Sequence, residues 1–160
     1  GGGYGSAPLF ALAELLKNRG CRVDMVLGAS TATKIFAPLE GKRTVSSLTL
    51  TTDDGTAGIH GQISEAIPRL IREFGTEVIY SCGPMGMLSS IAKIAKEFDI
   101  AHQCSVEESM ACGIGVCMTC VVPIKSEDGI KMVRTCIDGP VMDGSEIIWD
   151  RKEVSDAMGL

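Results

Sequence analysis

The chain has 160 residues, 45% of them hydrophobic and 22% charged, which is enough apolar material for a packed core and too much for a disordered segment. A formal net charge of −5 argues against nucleic acid or an anionic membrane as partner, because a basic stripe to neutralise phosphates is lacking. No apolar run approaches the roughly 20 residues of a membrane helix and no basic-then-apolar leader opens the sequence, so a cytoplasmic protein is expected.

The first residues, "GGGYGSAP", form a glycine turn with no element ahead of it. Such turns follow strands, so the chain reads as beginning inside a fold: a fragment, a processed product or an incomplete gene model. "SAPLFALAELLKNRG" then has apolar residues at helical spacing, Pro8 in the first turn and Gly20 as a stop. "CRVDMVLGA" and "SSLTLTTDDG" read as strands, "GQISEAIPRLIREFG" as a helix, "EVIYSCG" as a strand, "PMGMLSSIAKIAKEFD" as a helix and "IAHQCSV" as a strand. This alternation predicts an α/β fold with a mostly parallel sheet over residues 1–105. Helical periodicity then ends. Residues 106–150 are rich in Gly, Cys and β-branched side chains, with "TCVVPI", "KMVRTC" and "SEIIWD" as short strands separated by "KSEDG", "DGP" and "DGS" turns, and residues 151–160 form a tail.

Four of the seven cysteines stand in the order Cys112-x4-Cys117-x2-Cys120, followed after fifteen residues by Cys136. Disulfides fit poorly with a reducing compartment and a parallel-sheet core. Structural zinc usually takes its ligands as two short pairs, whereas here one loop supplies three and a distant turn the fourth. The order is that of plant-type 2Fe–2S clusters, in which two thiolates hold each iron. Gly113 and Gly115 suit a loop that must curl round such a centre with its N–H groups aimed at sulfur. Zinc and unligated thiols remain as alternatives.

The motifs "EESMACGIGVCMTC", "VRTCIDGPV", "GGGYGSAPL", "TTDDG" and "SCGPMGML" together resemble the electron-transfer subunit of heterodimeric dihydroorotate dehydrogenase, an iron–sulfur flavoprotein of the ferredoxin-NADP reductase superfamily. The resemblance covers nearly the whole chain. It implies an NAD-binding α/β domain of ferredoxin-reductase type whose first strand, central in the family's sheet, is missing. It also implies a small C-terminal β/loop module that holds the 2Fe–2S cluster through Cys112, Cys117, Cys120 and Cys136. The family's FAD-binding N-terminal barrel is absent from this sequence, so FAD would be held mainly outside it. The implied partner is an FMN-containing catalytic subunit, in a hetero-oligomer.

For the dinucleotide, the candidates are Gly2, Gly3, Tyr4, Gly5 and Ser6, bare backbone ahead of a helix N-terminus; a tight turn used only for chain reversal is the structural alternative. "SCGPMG" lies where a strand opens into a helix, a usual ligand position in open α/β sheets. Cys82 is assigned there as the residue facing the nicotinamide, with Gly83, Pro84 and Met85 beside the cofactor; a buried structural thiol is the alternative. Asp53 is preferred to Asp54 for a ribose or amide contact only through the resemblance, since aspartates before glycine commonly form turns. His60 and His102 have no acid or nucleophile in view. Cys21 and Cys104 read as buried small residues, and Met110 and Met118 as shields over the cluster. Ala29 and Ser30 stand where family members often carry an Arg, leaving Lys34 as the nearby base, so NAD is favoured over NADP.

The expected function is electron transfer between a partner redox subunit and NAD, through the cluster and FAD, in dihydroorotate oxidation for pyrimidine biosynthesis. A subunit of a ferredoxin-dependent NADP oxidoreductase or of a sulfide dehydrogenase is the nearest alternative. A nucleotide-binding domain with structural zinc is the alternative of a different class.

Overall fold

The structure, a computed structural model, describes residues 1–158. A 3-10 turn over Gly3–Ser6 runs into helix α1 (Ala7–Asn18), followed by β1 (Asp24–Ala29), α2 (Pro38–Thr44), β2 (Ser47–Thr52) and β3 (Ile59–His60). Then come α3 (Ile63–Phe74), β4 (Val78–Cys82), α4 (Met85–Glu97) and β5 (Ala101–Ser105). The last part holds β6 (Val121–Ser126), β7 (Gly129–Arg134), α5 (Thr135–Asp138), β8 (Val141–Asp143) and α6 (Arg151–Met158). Residues 159 and 160 of the expected tail lie outside the described residues.

The α/β part consists of two half-sheets. In one, β1, β2 and β3 run parallel; in the other, β4 and β5 run parallel and β8 joins β5 antiparallel. Gly1 and Gly2 sit between them. The N–H of Gly28 on β1 donates to the Gly1 carbonyl at 3.0 Å, and the Gly2 N–H donates to the Cys82 carbonyl at the end of β4, also 3.0 Å. Behind Gly1 a cavity of about 590 Å³ opens between β1 and β4, lined by Ala13, Val26, Ile67, Ile79 and Ile91 among others. The two inner strands thus face each other across room for one more strand, in keeping with a sheet whose central strand is missing.

Helix α3 shows why the halves hold together. Its Ile63, Ala66, Ile67, Leu70 and Ile71 are all buried at the i, i+3, i+4, i+7, i+8 spacing, and each large side chain contributes about 1.5–3 kcal/mol by leaving water. The Gln62 N–H donates to Glu65 at 3.3 Å at its start, and Gly75 ends it with φ +64. Ile63, Ile67 and Ile71 pack with Ile91 of α4, so one apolar stripe serves both half-sheets.

A second core spans the two segments: Leu88 of α4 and Cys104 of β5 pack with Val106, Val122 and Ile147. The β6/β7 hairpin is as expected from "TCVVPI" and "KMVRTC". "SEIIWD" is different: it makes only a single bridge, Ile147 to Ile124. Adjacent Ile147 and Ile148 are both buried, so the alternation a strand requires is broken. Cys21, expected to be buried, is exposed in the loop after the α1 stop, whereas Cys104 is buried. Burial pushes its thiol up to about 11.

His102 ties β4 to β5. It is 4% exposed, and its Nε2 lies 2.7 Å from the Ser81 hydroxyl, while Nδ1 has no partner. A Cβ on Gly144 would overlap the ring, so the imidazole is clamped. Burial lowers its pKa to about 4, against a smaller opposing pull from Asp143. The unfolded chain therefore takes up a proton near pH 6.5 that the native state refuses. Stability is expected to fall as pH drops from about 6.5 to about 4, by up to about 3 kcal/mol. His102→Gln should flatten that slope in urea titrations run across the same pH range.

Candidate metal centre and nucleotide cavity

The cysteine loop runs from 111 to 119 without regular structure and hands over to β6 at Val121. Val121 pairs with Arg134 at the hairpin's open end, and the Thr135 N–H donates to the Cys120 carbonyl at 3.0 Å. The fifteen residues between the third and fourth cysteines are therefore one β-hairpin followed by Thr135, the first residue of α5, and the closed ladder returns Cys136 beside Cys120. That length suits the hairpin, and this is why the spacing takes the value it does.

The thiols come in two pairs. Cys112 and Cys117 share a hydrogen bond, as do Cys120 and Cys136. Among the described residues no group of three or more His, Cys, Asp or Glu side chains is gathered closely enough to hold a metal ion as it stands. A binuclear centre with two thiolates on each iron would use the sulfurs as two such pairs.

Donors surround the sulfurs. The N–H groups of Val116 and Cys117 each lie 3.4 Å from Cys112 Sγ. The Cys117 N–H, then those of Ile114, the Cys117 thiol and Val116 bring the Cys112 thiol down to about 6. The Cys136 N–H leads in holding Cys120 below its usual range, helped by the Cys136 thiol and the Thr135 hydroxyl. Cys136 itself is raised, first because its thiol donates to Cys120 and then by burial, with the Gly115 N–H opposing. Thr119 donates to Cys117 Sγ at 3.1 Å. This is the chemistry a thiolate-held cluster needs: sulfurs already paired, with N–H and O–H groups aimed at the charge they carry when deprotonated.

Local backbone makes the curl possible. Gly113 and Gly115 take φ +68 and +75, and Met118 takes +59, a left-handed conformation that costs an ordinary residue about 1–2 kcal/mol. At Gly115 a Cβ would also meet the outer atoms of the exposed Ile137 side chain of α5, which would have to turn aside. Arg134 straps the two halves by donating to the Gly115 carbonyl at 3.2 Å, while its backbone N–H donates to Asp138 at 2.8 Å. Met110 and Met118, expected as shields, are exposed, as are Ile114, Val116 and Ile137. They form an apolar rim round the loop.

A second cavity, about 930 Å³, lies at the C-terminal ends of β1 and β2 and the openings of α3 and α4. Of the residues expected round the dinucleotide, Gly2, Gly3, Tyr4, Asp53 and Pro84 line it. Gly5, Ser6, Cys82, Gly83 and Met85 do not. Gly5 lies against the Gly83 backbone, where a Cβ would come within 2.7 Å. Ser6 and Cys82 are buried, and Met85 packs into the Leu88 core. "GYGS" and "CGP" are thus pressed together, and their glycines are used for that contact. Asp54 is occupied by the turn, accepting from the Thr56 N–H and hydroxyl at 3.0 and 2.6 Å, which leaves Asp53 to face the cavity. Phe36 and Gln62 also line it. Neither was anticipated; the Ala37-Pro38 step, which starts α2 with Ala37 at φ +43, is the signal that would have flagged an ordered turn beside Phe36.

Residues 107–148 match the iron-sulfur cluster binding domain of dihydroorotate dehydrogenase B. The chain is 34% identical over 149 residues to the dihydroorotate dehydrogenase B (NAD(+)) electron transfer subunit of Desulforamulus reducens, covering 93% of this chain and 57% of that protein. It is 36% identical over 151 residues to the subunit of the same name from Streptococcus mutans, covering 94% and 57%. The chain is similar in sequence to these electron transfer subunits. It spans a little over half their length. A solved structure of an NADH-dependent reduced ferredoxin-NADP oxidoreductase, described in connection with flavin-based electron bifurcation, has a TM-score of 0.76 at 30% identity, covering 99% of this chain and 59% of its own. The α/β fold with a parallel sheet is shared with that reductase-type neighbour.

Gly115→Ala is expected to lower bound iron and sulfide after anaerobic reconstitution far more than Gly113→Ala, because only the former must also displace Ile137. Iron and sulfide assays on the two variants, with circular dichroism to check the fold, measure the difference.

Proposed function

We propose that this chain supplies the nucleotide-binding and cluster-holding parts of an electron-transfer subunit, linking a partner redox subunit to NAD in dihydroorotate oxidation for pyrimidine biosynthesis. The observation that carries this reading is the cradle of paired thiols, Cys112 with Cys117 and Cys120 with Cys136, ringed by N–H and O–H donors. When bound, a nicotinamide moves two electrons as hydride, a 2Fe–2S cluster moves one, and a flavin exchanges with both.

The chain's own residues have limited tasks. Cys112, Cys117, Cys120 and Cys136 hold the cluster, and the apolar rim of Ile114, Val116 and Ile137 gives an FMN-containing partner subunit a dry surface to meet. Gly2, Gly3 and Tyr4 bring backbone and a ring to the dinucleotide cavity, and Asp53 brings a carboxylate. Cys82, behind them at the end of β4, fixes the turn by accepting the Gly2 N–H; facing the nicotinamide would require it to turn outward. FAD is bound mainly by parts of the protein outside this chain. Residues 1–105 serve the nucleotide and 106–150 the cluster, in a cytoplasmic setting where thiols stay reduced; among the described residues no helix is long and apolar enough to cross a membrane.

A second reading, a subunit of a ferredoxin-linked NADP oxidoreductase, is favoured by the structural neighbour that covers 99% of the chain. Co-purification separates the two, through a dihydroorotate-oxidising FMN subunit on one side and a different redox partner on the other. The nucleotide also discriminates: Ser30 and Lys34 line the cavity without an Arg to clasp a 2′-phosphate. NADH is expected to bind at least tenfold more tightly than NADPH, about 1.4 kcal/mol, as read by calorimetry on the intact protein.

The cluster itself is tested by anaerobic purification. Visible charge-transfer bands and a reducible EPR signal are expected, bleached or greatly weakened by Cys117→Ser and unaffected by Cys21→Ser. A colourless protein carrying stoichiometric zinc would sink the proposal.

A further inference from the structure

We propose that two threonine hydroxyls, Thr135 and Thr119, set the reduction potential of the bound cluster, and that Thr135 has the larger effect. The inference rests on the reading above that the four cysteines hold a 2Fe–2S centre. Each thiol pair has one hydroxyl of its own. Thr119 Oγ1 donates to Cys117 Sγ at 3.1 Å, and the Thr135 hydroxyl donates to Cys120. Their positions differ in a way that decides their weight. Thr119 and Cys117 are exposed, so water competes for the same sulfur. Thr135 is 1% exposed and Cys120 2%, so that bond lies in low dielectric and is the stronger. The Thr135 N–H also donates to the Cys120 carbonyl at 3.0 Å, which locks the residue against its acceptor.

Adding one electron to the centre makes its sulfurs more negative and strengthens every hydrogen bond they accept. Donors therefore favour the reduced form and raise the potential. Most donors here are backbone N–H groups, fixed by the curl of the loop. The hydroxyls are side-chain donors that substitution can remove without moving the backbone. The nearby Arg134 is a weaker candidate, because its guanidinium is matched by Asp138 at 3.7 Å and engaged with the Gly115 carbonyl.

The test is an EPR-monitored redox titration of the cluster-loaded intact protein, with Thr→Val to remove the hydroxyl at constant shape and Thr→Ser to retain it. Thr135→Val is expected to lower the reduced-to-oxidised ratio at fixed potential about tenfold, or about 59 mV for one electron. Thr119→Val is expected to lower it about threefold, and both serine variants should stay close to wild type. A Thr135→Val potential equal to wild type, or a serine variant shifted as far as its valine counterpart, overturns the inference. Should Thr135→Val fail to load, the Thr119 pair carries the test: valine below serine supports it and equality overturns it. A wild-type protein without a cluster signal overturns the proposed function as well, whereas a loaded wild type that is indifferent to the hydroxyls overturns this inference alone.

Discussion

Hydrogen bonds from backbone N–H groups to sulfur are the constraint on which this structure depends. Sulfurs that carry charge repel one another, and they share a small space only where donors, and in the proposed function iron, offset that charge. The loop meets that demand by turning its amides inward at Gly113, Gly115 and Met118, all at positive φ. Gly115 has a further task, since Ile137 fills the place a side chain would take. The β6/β7 hairpin then acts as a ruler between the third and fourth cysteines, and its register, Val121 opposite Arg134, is what puts Cys136 back at Cys120.

The same economy governs the nucleotide side. There the glycines of the first turn and of "CGP" permit backbone to lie on backbone, Gly5 against Gly83, so that two chain reversals share one wall of the cavity. The side chains that reach the cavity come from four elements and their loops, at the ends of strands where parallel sheets ordinarily bind ligands. Leu88 and Cys104, packed with Val122 and Ile147, join this side to the β6/β7 hairpin through one apolar core. That packing links the cavity side of the molecule to the cysteine loop and its hairpin.

Much of this was readable in the residues themselves. Helices α1, α3 and α4 carry strong apolar periodicity with Gly or Pro punctuation, β1 and β4 are short, largely apolar runs between turns, and β5 alternates exposed and buried residues. The cysteine spacing suggests the proposed metal centre because ligand order is a covalent property of the chain. Other features left no local trace. β8 is three residues long, and only pairing with Gln103–Ser105 defines it. Thr119 and Thr135 look like any threonine beside a cysteine until the hairpin closes. Gly5, Ser6 and Met85 sit inside recognisable motifs, yet packing directs them inward, and a motif alone does not distinguish the wall of a cavity from its support.

β8 follows the fourth cysteine by only a few residues and lies antiparallel on β5, covering what would otherwise be the bare edge of a parallel half-sheet. Unpaired strand edges are templates for self-association. If Cys136 holds iron as proposed, loss of that iron would loosen the anchor of the covering strand. Molecules that had lost the proposed centre would then be prone to aggregate, and damage there would translate into removal of the damaged protein from solution.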